Sequence, residues 1–148
     1  MFLGQYQHTI DNKGRLTIPA RYRELLDTEG AYITRGFDHN LVVLPVPYFN
    51  RVSQEASRMS VTNPRARLLK RLLYGNAGLV EMDRAGRILI PQFLRELVGL
   101  DGEAVVVGVG EYFEVWSPET WADQTLQLQE AETDAQRFMD LDLSAGLE

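Results

Sequence analysis

Two arginines, Arg15 and Arg87, each stand directly after a glycine and four residues after an aspartate, in "DNKGR" from Asp11 and "DRAGR" from Asp83. The chemistry open to such a group is anion recognition. A guanidinium is a rigid fork of donors that fits phosphate oxygens or the O6/N7 edge of guanine, and nothing in turn geometry demands a cation after the glycine. Lys13 and Arg84 put a second cation on each segment. The other matched residues have a use in shape alone. Asp11 and Asp83 can accept backbone N–H groups within a turn, and Gly14 and Gly86 supply a positive φ without a steric penalty. The competing role for each arginine is a salt bridge to its own turn aspartate, a contact of small value when exposed.

Both arginines belong to longer matching segments. "DNKGRLTIPARYREL" (11–25) and "DRAGRILIPQFLREL" (83–97) align at an offset of 72 with eight identities in fifteen positions. Self-similarity of this kind marks a tandem duplication. The elements around each segment repeat as well. "YQHTI" and "RLTI" read as strands of a hairpin across "DNKG". Ile18 precedes a proline and is extended, and Pro19 opens a short helix, "PARYRELL". "AYITRG" and "LVVLP" then pair around "FDHN". The second copy repeats the order with "AGLVEM", "RILI", "PQFLRELV", "EAVVVGV" and "YFEVW".

Each copy runs on into helix. Phe49, Val52, Ala56 and Met59 fall at helical spacing, and Asn63 caps a second helix before Pro64. In "RARLLKRLL" the cations Arg65, Arg67, Lys70 and Arg71 form a solvated face, while leucines 68, 69, 72 and 73 are expected to be buried between the repeats. After the second copy, Ser117 is the expected cap and Pro118 the first turn, with Trp121, Leu128, Ala131, Ala135 and Phe138 on one stripe. The acidic end, "DLDLSAGLE", is expected to fray. The division is a first repeat with trailing helix over 1–62, a linker helix over 63–75, a second repeat over 76–121, and an acidic helix and tail over 122–148. A unit of four short strands and one short helix is marginal alone. The two are therefore expected to share one core as an intramolecular pseudo-dimer.

Composition narrows the partners. The net charge is −6, yet residues 1–75 carry eleven Lys and Arg against six Asp and Glu, and residues 76–148 carry four against fifteen. Such asymmetry suits a basic binding face beside an acidic half, or halves that attract one another in an oligomer. With no cysteine and two histidines, a disulfide framework, a thiolate centre and a zinc cluster are not expected. No cofactor and no metal are expected. No apolar run reaches the roughly eighteen residues of a membrane span, and the start has no basic segment leading a long apolar one. The expectation is a cytoplasmic protein without membrane contact.

The two segments, with the start "MFLGQYQHTIDNKGRLTIP", resemble the D-x-x-x-R motif of the MraZ proteins, a two-repeat branch of the AbrB-type swapped-hairpin DNA-binding superfamily. The likeness covers roughly residues 1–120 and loosens from about Ala122. It implies a mainly β fold with short helices (α+β): two tandem AbrB-like β-β-α-β-β repeats around one pseudo-two-fold, barrel-like core, plus flanking helices. It also implies a nucleoid-associated transcriptional regulator, usually a repressor. Such a protein binds direct repeats in double-stranded promoter DNA, ahead of the division and cell-wall gene cluster that begins with its own gene, and assembles into rings of identical subunits. By position, Arg15 and Arg87 match the arginines that contact DNA, and Asp11 and Asp83 the motif aspartates. Lys13 aligns with Ala85, the cation of the second copy being displaced to Arg84. In AbrB-type relatives the helix after the proline adds arginines to the DNA face, which makes Arg23 and Arg95, each followed by a glutamate, secondary DNA-contact candidates.

Two other functional classes compete with this one. Catalysis is not expected, because the chain has no Gly-rich phosphate loop, nucleophile elbow or metal-spaced histidine pair. An antitoxin-like protein-interaction module of the same fold is the alternative; it would use the acidic half and would not need the turn arginines.

Overall fold

A computed structural model describes residues 1–27 and 30–141. The first copy forms β1 (Gln5–Thr9), β2 (Arg15–Thr17), α1 (Ala20–Asp27), β3 (Ala31–Arg35), β4 (Leu41–Pro45), α2 (Val46–Ser57) and α3 (Pro64–Gly75). The second forms β5 (Gly78–Val80), β6 (Arg87–Leu89), α4 (Gln92–Val98), β7 (Glu103–Gly108), β8 (Phe113–Trp116) and α5 (Pro118–Thr133), then a single 3-10 turn, Ala135–Phe138. The fold is α+β, with every strand pair antiparallel.

The two copies exchange strands. Six strands form one sheet in the order β1-β7-β8-β4-β3-β5, open at β1 and β5, and β2 pairs with β6 in a separate ribbon. The local hairpin expected between β1 and β2 is therefore not formed. A single bridge, Ile10 to Leu16, joins those two segments, while β1 pairs with β7 and β2 with β6. Alternation in a strand fixes which face is buried and says nothing of which strand lies beside it.

Register reveals the symmetry. Leu16 pairs with Ile88 in the ribbon, and Val42 pairs with Glu114 between β4 and β8. Each is a residue beside its own counterpart 72 positions on, so the pseudo-two-fold axis runs from the ribbon through the core to the middle of the sheet. The offset is not constant. Gln7 pairs with Val105, whereas Leu79 pairs with Tyr32 instead of Ile33. The buried residues Ala31 and Ile33 of β3 correspond to Ala104 and Val106 of β7, 73 apart. One extra residue between α4 and β7 and one fewer between β7 and β8 keep both copies inward-facing.

The core lies between ribbon and sheet. Leu16, Ile18, Ile88 and Ile90 descend from the ribbon, Tyr22 and Leu94 from α1 and α4, and Ile33, Val43, Val106 and Val115 rise from the sheet. Burying each such side chain contributes about 1.5–3 kcal/mol before conformational entropy is counted. Phe2 closes one side, its ring 5.0 Å from Tyr22 and 5.2 Å from Phe113.

The remaining helices cover the outer face of the sheet. Phe49 of α2 stacks on Tyr32 at 4.3 Å, and buried Thr34 donates to the Leu73 carbonyl of α3 at 2.8 Å. Asn63 and Ser117 cap α3 and α5 by accepting from Arg65 N and Thr120 N. One expectation fails here. In α3 the residue that becomes buried is Ala66, while Leu68 is 67% exposed and the other three leucines are half-buried. In α5, Trp121 packs on Trp116 at 5.2 Å, but Leu128 is exposed, and exposed Phe138 lies beyond the helix. Helical spacing defines a stripe without supplying a surface for it to meet. Residues 142–148, most of the segment expected to fray, lie outside the described residues, as does the Ala135 side chain.

Candidate nucleic-acid interface

Each turn is organised by its aspartate. Asp11 Oδ1 accepts from the backbone N–H of Lys13 at 3.0 Å and of Arg15 at 2.9 Å, while Gly14 N donates to the Asp11 carbonyl. Asp83 does the same with Ala85 at 2.9 Å and Arg87 at 3.0 Å. These N–H bonds, the one from the following arginine first, hold both carboxyls below the ordinary aspartate range. Gly14 and Gly86 adopt φ of +91° and +75°, where a side chain would be strained.

The remaining oxygen of each carboxylate orients the arginine. Arg15 Nε meets Asp11 Oδ2 at 2.6 Å and Arg87 Nε meets Asp83 Oδ2 at 2.9 Å. The salt bridge weighed above as the competing role is thus formed in both copies. It uses only Nε: among the described residues, no hydrogen bond engages the terminal amino groups of either guanidinium. Arg87 Nη1 does approach Asp11 Oδ2 at 3.6 Å, which ties the two turns side by side. A guanidinium held by one edge retains its donor fork for an external acceptor.

Arg15 and Arg87 sit on the outer face of the ribbon, since the intervening Leu16 and Ile88 are buried. The swapped pairing continues at both ends, where Ile18 N donates to Gly86 O and Ile90 N to Gly14 O, both at 2.9 Å. Arg23 and Arg95 lock these ends. Each donates Nε to a carbonyl of its own copy, Ile18 O or Ile90 O, at 3.0 Å. Each then lies over the glycine of the opposite copy: a Cβ on Gly14 would meet Arg95, and one on Gly86 would meet Arg23. The glycines are thus needed for cross-copy packing as well as for φ. Sequence reasoning had no signal for that contact.

Lys13 and Arg84 are exposed on the turns, as expected of tip residues. Two outward ribbon residues that the sequence reading did not single out are Thr17 and Leu89, which lie opposite Arg87 and Arg15. They were findable by projecting the 72-residue offset onto strand parity. Tyr48 and Tyr112 stack at 5.5 Å beside a cleft of about 190 Å³. That cleft contains Val42 and Glu114 and so lies at the far end of the axis from the ribbon. Among the described residues no group of three His, Cys, Asp or Glu is placed to hold a metal ion, and no helix is long and apolar enough to cross a membrane.

Comparison with known proteins agrees with this doubled architecture. One family, described as "MraZ protein, putative antitoxin-like", matches twice, over residues 1–72 and 73–142. A protein named "Transcriptional regulator MraZ" from Thermomicrobium roseum is 46% identical over 142 residues, covering 95% of this chain and 99% of that one. One of the same name from Roseiflexus castenholzii is 47% identical over 121 residues, 82% of this chain and 84% of its own. A third, from Leuconostoc citreum, is 38% identical over 96% of this chain and 99% of its own. With two matches that together span the chain and relatives aligned nearly end to end, the chain belongs to the MraZ family.

Proposed function

We propose that the chain is a transcriptional regulator that binds double-stranded DNA through the β2–β6 ribbon. The observation that carries this reading is the pair of aspartate-oriented guanidiniums on one outward face of a two-fold ribbon. A two-stranded ribbon fits the major groove, where an arginine fork pairs with guanine O6 and N7. Lys13 and Arg84 on the tips reach phosphates, which supply most of the affinity. Arg23 and Arg95 hold the turns in register and add positive potential behind them. The regulated target is the promoter of its own gene, repressed through repeated boxes. A ring of subunits engages those boxes together, so that individually weak ribbons gain by effective concentration. The relatives' name, transcriptional regulator, supports the general class.

The test is fluorescence anisotropy on the duplex upstream of its own gene against a scrambled duplex, over a salt series, beside an Arg15→Ala/Arg87→Ala protein. The native duplex should be preferred, binding should weaken with salt, and the double variant should lose it. The description of the family as antitoxin-like favours one rival, a protein-binding module. Equal, negligible binding to both duplexes at low salt, with capture of a basic protein that survives the double substitution, would establish that rival instead.

A further inference from the structure

The ribbon has a symmetric backbone and an asymmetric face. Across the strand pair Arg15 stands opposite Leu89, and Arg87 stands opposite Thr17. Thr17 and Leu89 occupy equivalent positions, 72 residues apart, but one is a hydroxyl side chain and the other a leucine that is 57% exposed. The neighbours Ile88 and Ile90 already fill the core beneath β6, at 1% and 0% exposed. Leu89 therefore has no inward packing to serve. A lone exposed leucine on a surface is ordinary; one at the end of a short ribbon, across from Arg15 and two residues after Arg87, is placed where a ligand must touch it. One exposed position in the helix that follows also differs in this sense. Phe93, in the first turn of α4 and 53% exposed, stands where α1 has Arg21.

On the reading that the ribbon enters the major groove, we infer that Leu89 is a sequence-reading residue that packs on the 5-methyl group of a thymine next to the base taken by Arg15. The thymine methyl is the apolar group that the major-groove edge of a base presents. Arg15 and Leu89 together select a guanine–thymine neighbourhood, while Arg87 and Thr17 accept a broader set, because a hydroxyl both donates and accepts. A ribbon with identical halves favours a palindromic box. This one reads its box in a single direction, and the apolar half fixes which.

The experiment uses the full chain and the duplex carrying its own box, with each thymine replaced in turn by deoxyuridine, which removes one methyl and leaves pairing intact. One position should weaken binding about fourfold, the equivalent of about 0.8 kcal/mol for one buried methyl. In a Leu89→Ser protein the same replacement should have no effect, and Thr17→Ser should leave the sensitivity in place. If no thymine matters, or if the sensitivity persists in Leu89→Ser, the inference is overturned. The DNA-binding reading still stands in that case, provided that Arg15→Ala/Arg87→Ala loses binding. Failure of the unmodified protein to bind the native duplex at low salt would overturn both.

Discussion

In a Gly14→Ala protein the new Cβ would lie 2.5 Å from Nε and 2.6 Å from Cζ of Arg95. Both atoms are near the end of a flexible side chain, so the arginine can swing away and the backbone need not move. The cost then has two parts. Holding alanine at φ +91° costs about 1–2 kcal/mol, and losing the bond from Arg95 Nε to Ile90 O costs about 1.5 kcal/mol for a charged donor. The sum, about 3 kcal/mol, should appear as a lower urea midpoint at unchanged slope, at one fixed protein concentration. In an Arg95→Ala background only the backbone part is left, so Gly14→Ala should cost about 1.5 kcal/mol less there. Such a double-mutant cycle isolates the cross-copy contact. If the two substitutions add to within about 0.5 kcal/mol, the usual margin for independent sites, Arg95 does not hold the turn of the other copy and the account given for both glycines is wrong.

Other parts of the structure set further expected outcomes. The Asp11 and Asp83 carboxyls should titrate by NMR below the ordinary aspartate range; their stabilising contribution is complete above about pH 4 and lost as pH falls through the lowered folded values. Arg15→Gln should raise Asp11 only in part, because the backbone N–H of residue 15 is the largest cause. Tyr22, whose hydroxyl donates to Leu3 O at 2.7 Å, is pushed up to about 12 by burial, so stability should fall between about pH 10, the unfolded value, and 12, and Tyr22→Phe should abolish the ultraviolet transition near 12. Ser117→Ala should cost about 1 kcal/mol in thermal or urea unfolding through its lost helix cap, whereas Leu68→Ala on the exposed face of α3 should stay within about 0.5 kcal/mol.

What was legible in the sequence was what is local. The Asp11 and Asp83 turns, the prolines that open α1 and α4, and the caps at Asn63 and Ser117 depend on residues within five positions of one another, and their chemistry can be read in order. Partnership across the chain could not be read in that way. The segments around Ile10 and Leu16 alternate as a hairpin would, but their partners are β7 and β6, a fact that depends on two distant segments being present together. The leucines of α3 and the stripe of α5 have helical spacing, yet the first helix is anchored by Ala66, and in the second Trp121 packs on Trp116 while Leu128 stays exposed. The register change between β3 and β7 hides inside an alignment that looks ungapped, because an insertion before β7 cancels a deletion after it. Arg23 and Arg95 were weighed as DNA contacts by resemblance. Only the fold shows them lying on the opposite copy's glycines.

The exchange of strands also bears on the imbalance of charge between the two halves of the chain. Because β1, β2 and β5 all pair with the other copy, the second copy's turn must stay beside the first whatever else changes in it. In a true homodimer every substitution appears twice and would alter both halves of the ribbon. In one chain, Thr17 and Leu89 can differ while Leu16 and Ile88 keep the axis. The same freedom lets the second half turn acidic while Asp83, Gly86 and Arg87 persist. At physiological ionic strength charges are screened beyond about 8 Å, so the net −6 of the chain matters less than the groups around the ribbon. There, Lys13, Arg15, Arg23, Arg84, Arg87 and Arg95 face Asp11, Asp83, Glu24 and Glu96. Both aspartates are already engaged by backbone N–H groups and by Nε. Those ten groups carry a net charge of +2, while thirteen of the fifteen carboxylates of the second half belong to other positions.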